Sequence, residues 1–186
     1  MFFTQLSLNL SGNLIDDELF KFISPGLNLN TTIVDLNLSY NKIGDEGAKK
    51  LSKFLIKNEI LTHLNLGNNA IGYDGSRYLA QALKLNSTLE YLSLKLNSID
   101  DKAGAKFFKD LTFNTNLKIL DLEANSLSTM TVRKLCLYIQ VPHSLREIFI
   151  GNNNFTEKDF EIISDSLPHE KSKETFVKSK FMEIKI

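Results

Sequence analysis

Residue types that point to particular chemistries are scarce in this chain. Its 186 residues include one cysteine, three prolines, three histidines and no tryptophan. The single Cys136 excludes an intrachain disulfide, and its leucine neighbours predict a small core residue rather than a reactive thiol. The histidines lack the three-to-five-residue spacing of a metal site. No nucleophile set and no phosphate-binding glycine motif is present, so the sequence predicts a non-enzyme without catalytic, metal or cofactor sites.

An excess of charge and a long apolar run are also missing. Lys plus Arg and Asp plus Glu both number 22, so no net field attracts nucleic acid or an anionic membrane surface. No apolar run approaches the roughly 20 residues of a membrane span, and the first residues, MFFTQLSL, do not resemble a secretory signal. We therefore expect a cytoplasmic chain with no nucleic-acid partner and no membrane insertion.

What the sequence does contain is one strictly periodic residue. Asparagine recurs every 28 residues, and apolar residues stand eight, five and three positions before all but one of these asparagines, Gln5 being the exception. The six asparagines are Asn13, Asn41, Asn69, Asn97, Asn125 and Asn153. Alternating apolar residues before each asparagine are typical of a short strand, and the residues after it have helical spacing. Each unit is therefore predicted to be strand, turn and helix.

The boundary between turn and helix is marked three residues after each asparagine. The expected helix caps are Asp16, Gly44, Gly72, Asp100, Ser128 and Thr156. The asparagine amides are expected to form a ladder, because each can bond the unpaired backbone groups of its own turn and of the neighbouring turn.

Stacked units of this kind predict an α/β solenoid. Parallel strands lie about 4.8 Å apart and packed helices about 8 to 10 Å apart, so the stack must bend with the strands on its concave side. Six repeats occupy residues 1–168. In residues 169–186 the spacing of Phe181, Ile184 and Ile186 repeats the strand pattern, which predicts a seventh strand or cap.

The lines IVDLNLSYN, LTHLNLGNN and LKILDLEAN resemble leucine-rich repeats, and the 28-residue period is similar to the ribonuclease-inhibitor-like subfamily. The resemblance covers residues 5–167 and implies a horseshoe arc used for protein recognition. That subfamily includes ribonuclease inhibitors, sensor regions of innate immune receptors, Ran GTPase-activating proteins and a leucine-rich subunit of the ciliary nexin-dynein regulatory complex. The single cysteine departs from the cysteine-rich ribonuclease inhibitors. No arginine matches the key arginine of the Ran-type proteins.

Two segments, LSLKLNSIDDKAGAKFF and LDLEANSLSTMTVRKL, resemble consecutive repeats of the nexin-dynein subunit. The likeness lies in the Leu96 and Asn97 pair and in the run from Ser128 to Thr131. It implies an axonemal scaffold within a larger complex of the cilium. A non-catalytic scaffold or adaptor is the favoured function. The alternatives are a Ran-type GTPase-activating protein and a sensor fragment of an innate immune receptor.

The strand register arranges the side chains of the concave face in columns that run across the repeats. The first three strands present small polar groups, whereas the last three present Tyr91, Ile119 and Phe149, which are expected to cluster. Leu96 borders this cluster, and Lys95 and Glu123 flank it. Apolar anchors with flanking charges are typical of a binding hot spot, which predicts a protein partner here. Coverage by a terminal segment and ordinary scatter are the alternatives.

The ends of the array suggest a second surface. The chain begins inside an expected strand, at Phe2 and Phe3, without a polar cap. The open strand edge near Phe3 is therefore an alternative site for a partner that adds a strand. Either the chain is a piece of a longer repeat protein, or neighbours in an assembly complete its ends.

Overall fold

The computed structural model describes residues 6–167 and the backbone of residues 183–185. The elements, in chain order, are β1 (Leu6–Asn9), α1 (Asp17–Leu29), β2 (Ile33–Asn37), α2 (Asp45–Lys57), β3 (His63–Asn65), α3 (Tyr73–Leu83), β4 (Tyr91–Ser93), α4 (Asp101–Leu111), β5 (Ile119–Asp121), α5 (Thr129–Ile139), β6 (Glu147–Phe149), α6 (Glu157–Ser166) and β7 (Glu183–Lys185). The strands form one sheet in chain order, and β1 to β6 are parallel. The predicted α/β leucine-rich-repeat solenoid is confirmed.

The strand β7 departs from the repeat. The spacing of the tail predicts one more repeat-like strand, but β7 pairs antiparallel with β6. Ile184 lies opposite Ile148 in this pairing. Alternation of apolar residues has the same period in both chain directions, so the sequence pattern carries no information about strand direction. The expected strand at Phe2 and Phe3, together with Gln5, Phe181 and Ile186, lies outside the described residues.

The core lies between the sheet and the helices. The central apolar residue of each strand points into it, and the side chains of Leu36, Leu64, Leu92, Leu120 and Ile148 are fully buried. Leu8, at the same position in β1, is only half-buried. The reason is that β1 has a neighbouring strand on one side only among the described residues. The helices contribute residues at helical spacing, such as Ala48, Leu51 and Leu55 in α2.

Each helix begins directly after its predicted cap residue. In α1, α4 and α6 the cap side chain itself accepts a hydrogen bond from the first turn, through Asp16, Asp100 and Thr156. Such a bond satisfies one of the four N–H groups that lack helical partners. The cap residues of the other three helices, Gly44, Gly72 and Ser128, make no such bond.

Those three helices are capped by the preceding repeat. Asp17 accepts hydrogen bonds from the N–H groups of Gly44 and Gly47 at 2.8 and 2.9 Å, and Asp45 accepts one from Gly72. Asp101 does the same for the start of α5. A Cβ atom at Gly47 would lie 2.6 Å from the Asp17 carboxylate. The glycine is therefore needed for close approach, and the cap ties consecutive repeats together.

Candidate functional site

The turns that leave the strands hold the concave sheet in register through their asparagines. The Oδ1 atom of Asn69 accepts a hydrogen bond from Ile43 N–H at 2.9 Å. Its Nδ2 group donates to the carbonyls of Leu38 and Leu66, both at 3.0 Å. Two of these partners belong to the preceding repeat and one to the asparagine's own turn. Asn41, Asn97, Asn125 and Asn153 repeat these contacts. Among the described residues, the side chain of the exposed Asn13 donates to Ser11 alone.

A second row of asparagines, absent from our sequence predictions, lies at the opposite ends of the strands. It consists of Asn30, Asn58, Asn86 and Asn114, again 28 residues apart. Asn114, for example, donates to the carbonyls of Leu83 and Asn86 and accepts from the N–H groups of Asn116 and Leu117. The signal in the sequence was the recurring Asn two residues before Thr, Ile or Asn. The two rows fix both ends of the central strands.

The residue before each ladder asparagine adopts a left-handed backbone. These residues are Gly12, Tyr40, Asn68, Leu96, Ala124 and Asn152, with φ between 50 and 70°. Glycine and asparagine tolerate this region, whereas leucine and tyrosine are strained there by about 1 kcal/mol or more. The side chain of Leu96 is 44% exposed at this position. Leu96 therefore lies on a turn at the border of the sheet and not within a strand.

The predicted columns of the concave face are present in the strand pairing. One column runs through Asp35, His63, Tyr91, Ile119 and Glu147. The next runs through Asn37, Asn65, Ser93, Asp121 and Phe149. Parallel pairing in exact register places equivalent residues of consecutive repeats side by side, because the repeat length is constant.

We refer to Tyr91, Ile119 and Phe149 as the concave patch. Tyr91 and Ile119 are direct neighbours on β4 and β5. Phe149 pairs with Asp121 and so lies diagonally from Ile119. All three side chains are half-buried, which is intermediate between core residues and free surface. His63 extends the patch, since its ring stacks on Tyr91 with centroids 5.8 Å apart.

The floor of the concave patch carries a buried carboxylate. Asp121 is 6% exposed and accepts hydrogen bonds from the Ser93 hydroxyl at 3.1 Å and from Glu123 N–H at 3.1 Å. Burial raises the pKa of Tyr91, and the negative charge of Asp121 adds to this shift. The tyrosine therefore stays neutral at physiological pH.

Lys95 and Glu123 lie on the turns beside the patch. The hydrogen bond from Leu96 N–H to the Glu123 carbonyl makes these turns direct neighbours. The two side chains do not form an ion pair. A Cβ at Gly67 would lie 3.0 Å from Cγ of Lys95, so the start of the lysine side chain leans toward the third repeat. Its charge is still close enough to lower the pKa of Glu123.

Within the described part of the chain, no group of three or more His, Cys, Asp or Glu residues could hold a metal ion. Among the helices of residues 6–167, none has the length and apolar character needed to span a bilayer. What the site offers is a rigid sheet surface with apolar and acidic side chains. Such a surface is suited to binding.

Comparisons with known proteins agree with this fold. Three segments match the family model described as Leucine Rich repeat, at residues 29–52, 57–80 and 85–108. Among solved structures, the chain is similar to leiomodin-1 actin-binding site 2, with 27% sequence identity and a TM-score of 0.58. That match covers 61% of this chain and 68% of the other. No curated protein matches the chain. The ribonuclease-inhibitor-like and nexin-dynein resemblances find no counterpart in these matches and stay predictions.

Proposed function

We propose that this leucine-rich-repeat solenoid is a non-catalytic scaffold or adaptor that binds a protein partner on the concave patch. The observation that carries the proposal is a change from polar to apolar side chains along the concave face of the sheet. Positions that hold Asp35 and His63 in the early strands hold Tyr91 and Ile119 in the later ones. The adjacent column changes from Asn37 to Phe149 in the same direction.

Such an arrangement fits the energetics of recognition. Tyrosine and phenylalanine provide large contact areas with few rotatable bonds, so little conformational entropy is lost when a partner covers them. The sheet beneath the patch is held by the asparagine turns and needs no rearrangement on binding. A few central apolar anchors then supply most of the binding free energy.

The test is to measure affinity for the native partner, first captured from an extract of the source cells with the intact chain as bait. Phe149→Ala and Tyr91→Ala should each weaken binding by roughly 2 kcal/mol. The folding stability should change little, because these side chains do not point into the core between sheet and helices. Asn37→Ala, on the polar half of the same face, is the matched control and should bind normally.

Equal affinity for all three variants would argue against the concave patch. The interface would then be sought at the edge of β1 that has no neighbouring strand among the described residues, where a partner strand could pair through backbone hydrogen bonds. Leu6 is 49% exposed at that edge.

We further propose that the scaffold belongs to an axonemal assembly. Support comes from the likeness of residues 92–108 and 120–135 to consecutive repeats of the nexin-dynein regulatory subunit. Purified cilia of the source organism should contain the protein, and it should resist extraction with detergent together with the axoneme. Absence from purified cilia would overturn this assignment while leaving the scaffold proposal intact.

Actin is a second candidate partner, because the similar solved structure is described as an actin-binding site. Cosedimentation with filamentous actin and binding to labelled monomeric actin test this candidate directly. Saturable binding that Phe149→Ala weakens and Asn37→Ala does not would favour actin. No binding to either form of actin would remove it.

The proposal also predicts that the purified chain has no catalytic activity. The chain should not accelerate GTP hydrolysis by a Ran-type GTPase, because its arginines lie in helices or just before a strand, as with Arg77 in α3, Arg133 in α5 and Arg146 before β6. A concentration-dependent increase in hydrolysis would favour the GTPase-activating alternative. A longer gene product with a nucleotide-binding domain would favour the immune-sensor alternative.

A further inference from the structure

The concave face is acidic even though the whole chain is neutral. The columns defined by strand pairing, together with the turn positions two residues beyond the strand ends, contain one lysine, Lys95, and four carboxylates, Asp35, Asp121, Glu123 and Glu147. The row at the start of the strands adds the exposed Arg146 and the ion pair between Lys118 and Glu90. Among residues 6–167, the face therefore keeps an excess of negative charge.

Two of these carboxylates, Asp121 beneath the concave patch and Glu123 beside it, are not in an ion pair. Within residues 6–167, none of the ion pairs involves Asp121 or Glu123. The hydrogen bonds that Asp121 accepts come from neutral groups, a serine hydroxyl and a backbone N–H. Lys95, on the neighbouring turn, has its Cγ close to Gly67 and forms no ion pair with Glu123. Asp121 and Glu123 therefore form no ion pair, and Lys95 offsets their negative charge only in part.

The direction of the pKa shift of Glu123 agrees with the absence of an ion pair at this residue. Burial raises the pKa of Glu123, and the negative charge of Asp121 raises it further. A nearby cation would have the opposite effect, because it would favour the ionised carboxylate. Lys95 lowers the pKa of Glu123 without reversing the shift.

We infer that the partner presents a basic side chain, lysine or arginine, between apolar side chains, so that the cation meets Asp121 and Glu123 while the apolar groups cover Tyr91, Ile119 and Phe149. This inference rests on the proposed function and names the chemistry of the partner segment. Arginine fits especially well, since its planar guanidinium can bond a carboxylate and stack on the ring of Tyr91. An acidic segment or a phosphate backbone would be repelled by the same charges.

Site-specific crosslinking tests the inference. Ile119 is replaced by p-benzoylphenylalanine, the full chain is irradiated in an extract of the source cells, and the attached peptides are sequenced. The same substitution at Asn37 and at the exposed Leu137 of α5 provides the controls. We expect peptides attached at position 119 to carry lysine or arginine next to apolar residues, and the controls to give little product.

The crosslinking results distinguish the concave interface itself from the basic chemistry of the partner segment. Neutral or acidic peptides at position 119 would overturn the inference and leave the concave interface standing. Products only at positions 37 or 137, or none at all, would overturn both.

A charge variant gives an independent measurement on the same site. The peptide recovered at position 119 is synthesised, and its affinity is measured for the full chain and for Glu123→Gln. We expect Glu123→Gln to bind about tenfold more weakly and with less dependence on salt. Glu46→Gln, on the helical side in α2, is the matched control and should bind like the unaltered chain. Equal affinity of Glu123→Gln and the unaltered chain at low salt would overturn the inference.

Discussion

Replacing Asn69 by alanine should destabilise the solenoid by about 2 kcal/mol, and the hydrogen bonds of this residue show why the loss is not larger. The carbonyls of Leu38 and Leu66 each accept from two asparagines, their own and that of the next repeat. Each carbonyl therefore keeps one donor when Asn69 is removed. The Ile43 N–H has only the Asn69 side chain as its partner and would be left buried and unpaired.

The same reasoning predicts coupling between neighbouring repeats. In the double variant Asn69→Ala/Asn97→Ala the Leu66 carbonyl loses both side-chain donors, so the combined loss should exceed the sum of the single losses by about 1 kcal/mol. Asn41 and Asn97 share no carbonyl, so the double variant Asn41→Ala/Asn97→Ala should be additive.

Urea unfolding followed by circular dichroism measures these differences. Asn13→Ala is the control for the single substitution, because Asn13 is exposed and donates one hydrogen bond of 3.2 Å, so its loss should stay below about 0.5 kcal/mol. An unchanged midpoint and slope for Asn69→Ala would refute the ladder. Equal coupling in the neighbouring and the non-neighbouring pair would refute the shared-carbonyl explanation.

Three further substitutions test other parts of the fold. Leu96→Asn should raise the free energy of unfolding by about 0.5 to 1 kcal/mol, because asparagine tolerates the left-handed backbone at φ 52°; a lower melting temperature would contradict this. Gly104→Ala should destabilise by about 1 to 3 kcal/mol, because the added Cβ would clash with Thr131 Oγ1. Alanine usually favours helices, so an unfolding free energy in urea equal to or above that of the unaltered chain would contradict the clash. For Asp101, burial raises the pKa, but hydrogen bonds from Ser128 and Thr131 outweigh it and leave the pKa below its usual value. Its stabilising contribution is thus fully present above the unfolded pKa of about 3.9 and lost as pH falls through the lower folded pKa. The stability gap between the unaltered chain and Asp101→Asn should therefore narrow below about pH 4, and a constant gap from neutral to acid pH would exclude this role.

The strands, their register and the helix starts could be predicted because the residues that determine them recur at fixed spacings in the sequence. Apolar alternation identifies the strands, and a constant repeat length sets their register, so Tyr91 could be paired with Ile119 from the sequence alone. Helix caps such as Asp16 and Asp100 are local signals that a single repeat reveals.

The missed features depend on contacts between repeats. Asp17 resembles an ordinary first-turn acid, and only the stacked structure shows it bonding to Gly44 of the next unit. The second asparagine row is hard to recognise in the sequence because Asn86 and Asn114 stand among other polar loop residues. The direction of β7 depends on its pairing with β6, which periodicity alone cannot encode.

At the candidate site, the sequence predicted where apolar side chains would lie but not their surroundings. The columns of side chains on the concave face followed from the constant 28-residue repeat. That Lys95 and Glu123 form no ion pair, and that Asp121 is buried among neutral donors, depends on side-chain packing across three repeats. The sequence predicts Lys95 and Glu123 as flanking charges, whereas the structure also shows the buried Asp121 carboxylate beneath the apolar side chains.

The most direct test of the concave interface is hydroxyl-radical footprinting of the chain with and without its captured partner. Oxidation of side chains reports which surfaces the partner covers. We predict that the partner protects Tyr91 and Phe149 from oxidation and leaves Leu6 and Phe22, at the β1 end of the solenoid, as reactive as in the free chain. Protection of Leu6 and Phe22 with unchanged oxidation of Tyr91 and Phe149 would contradict the account.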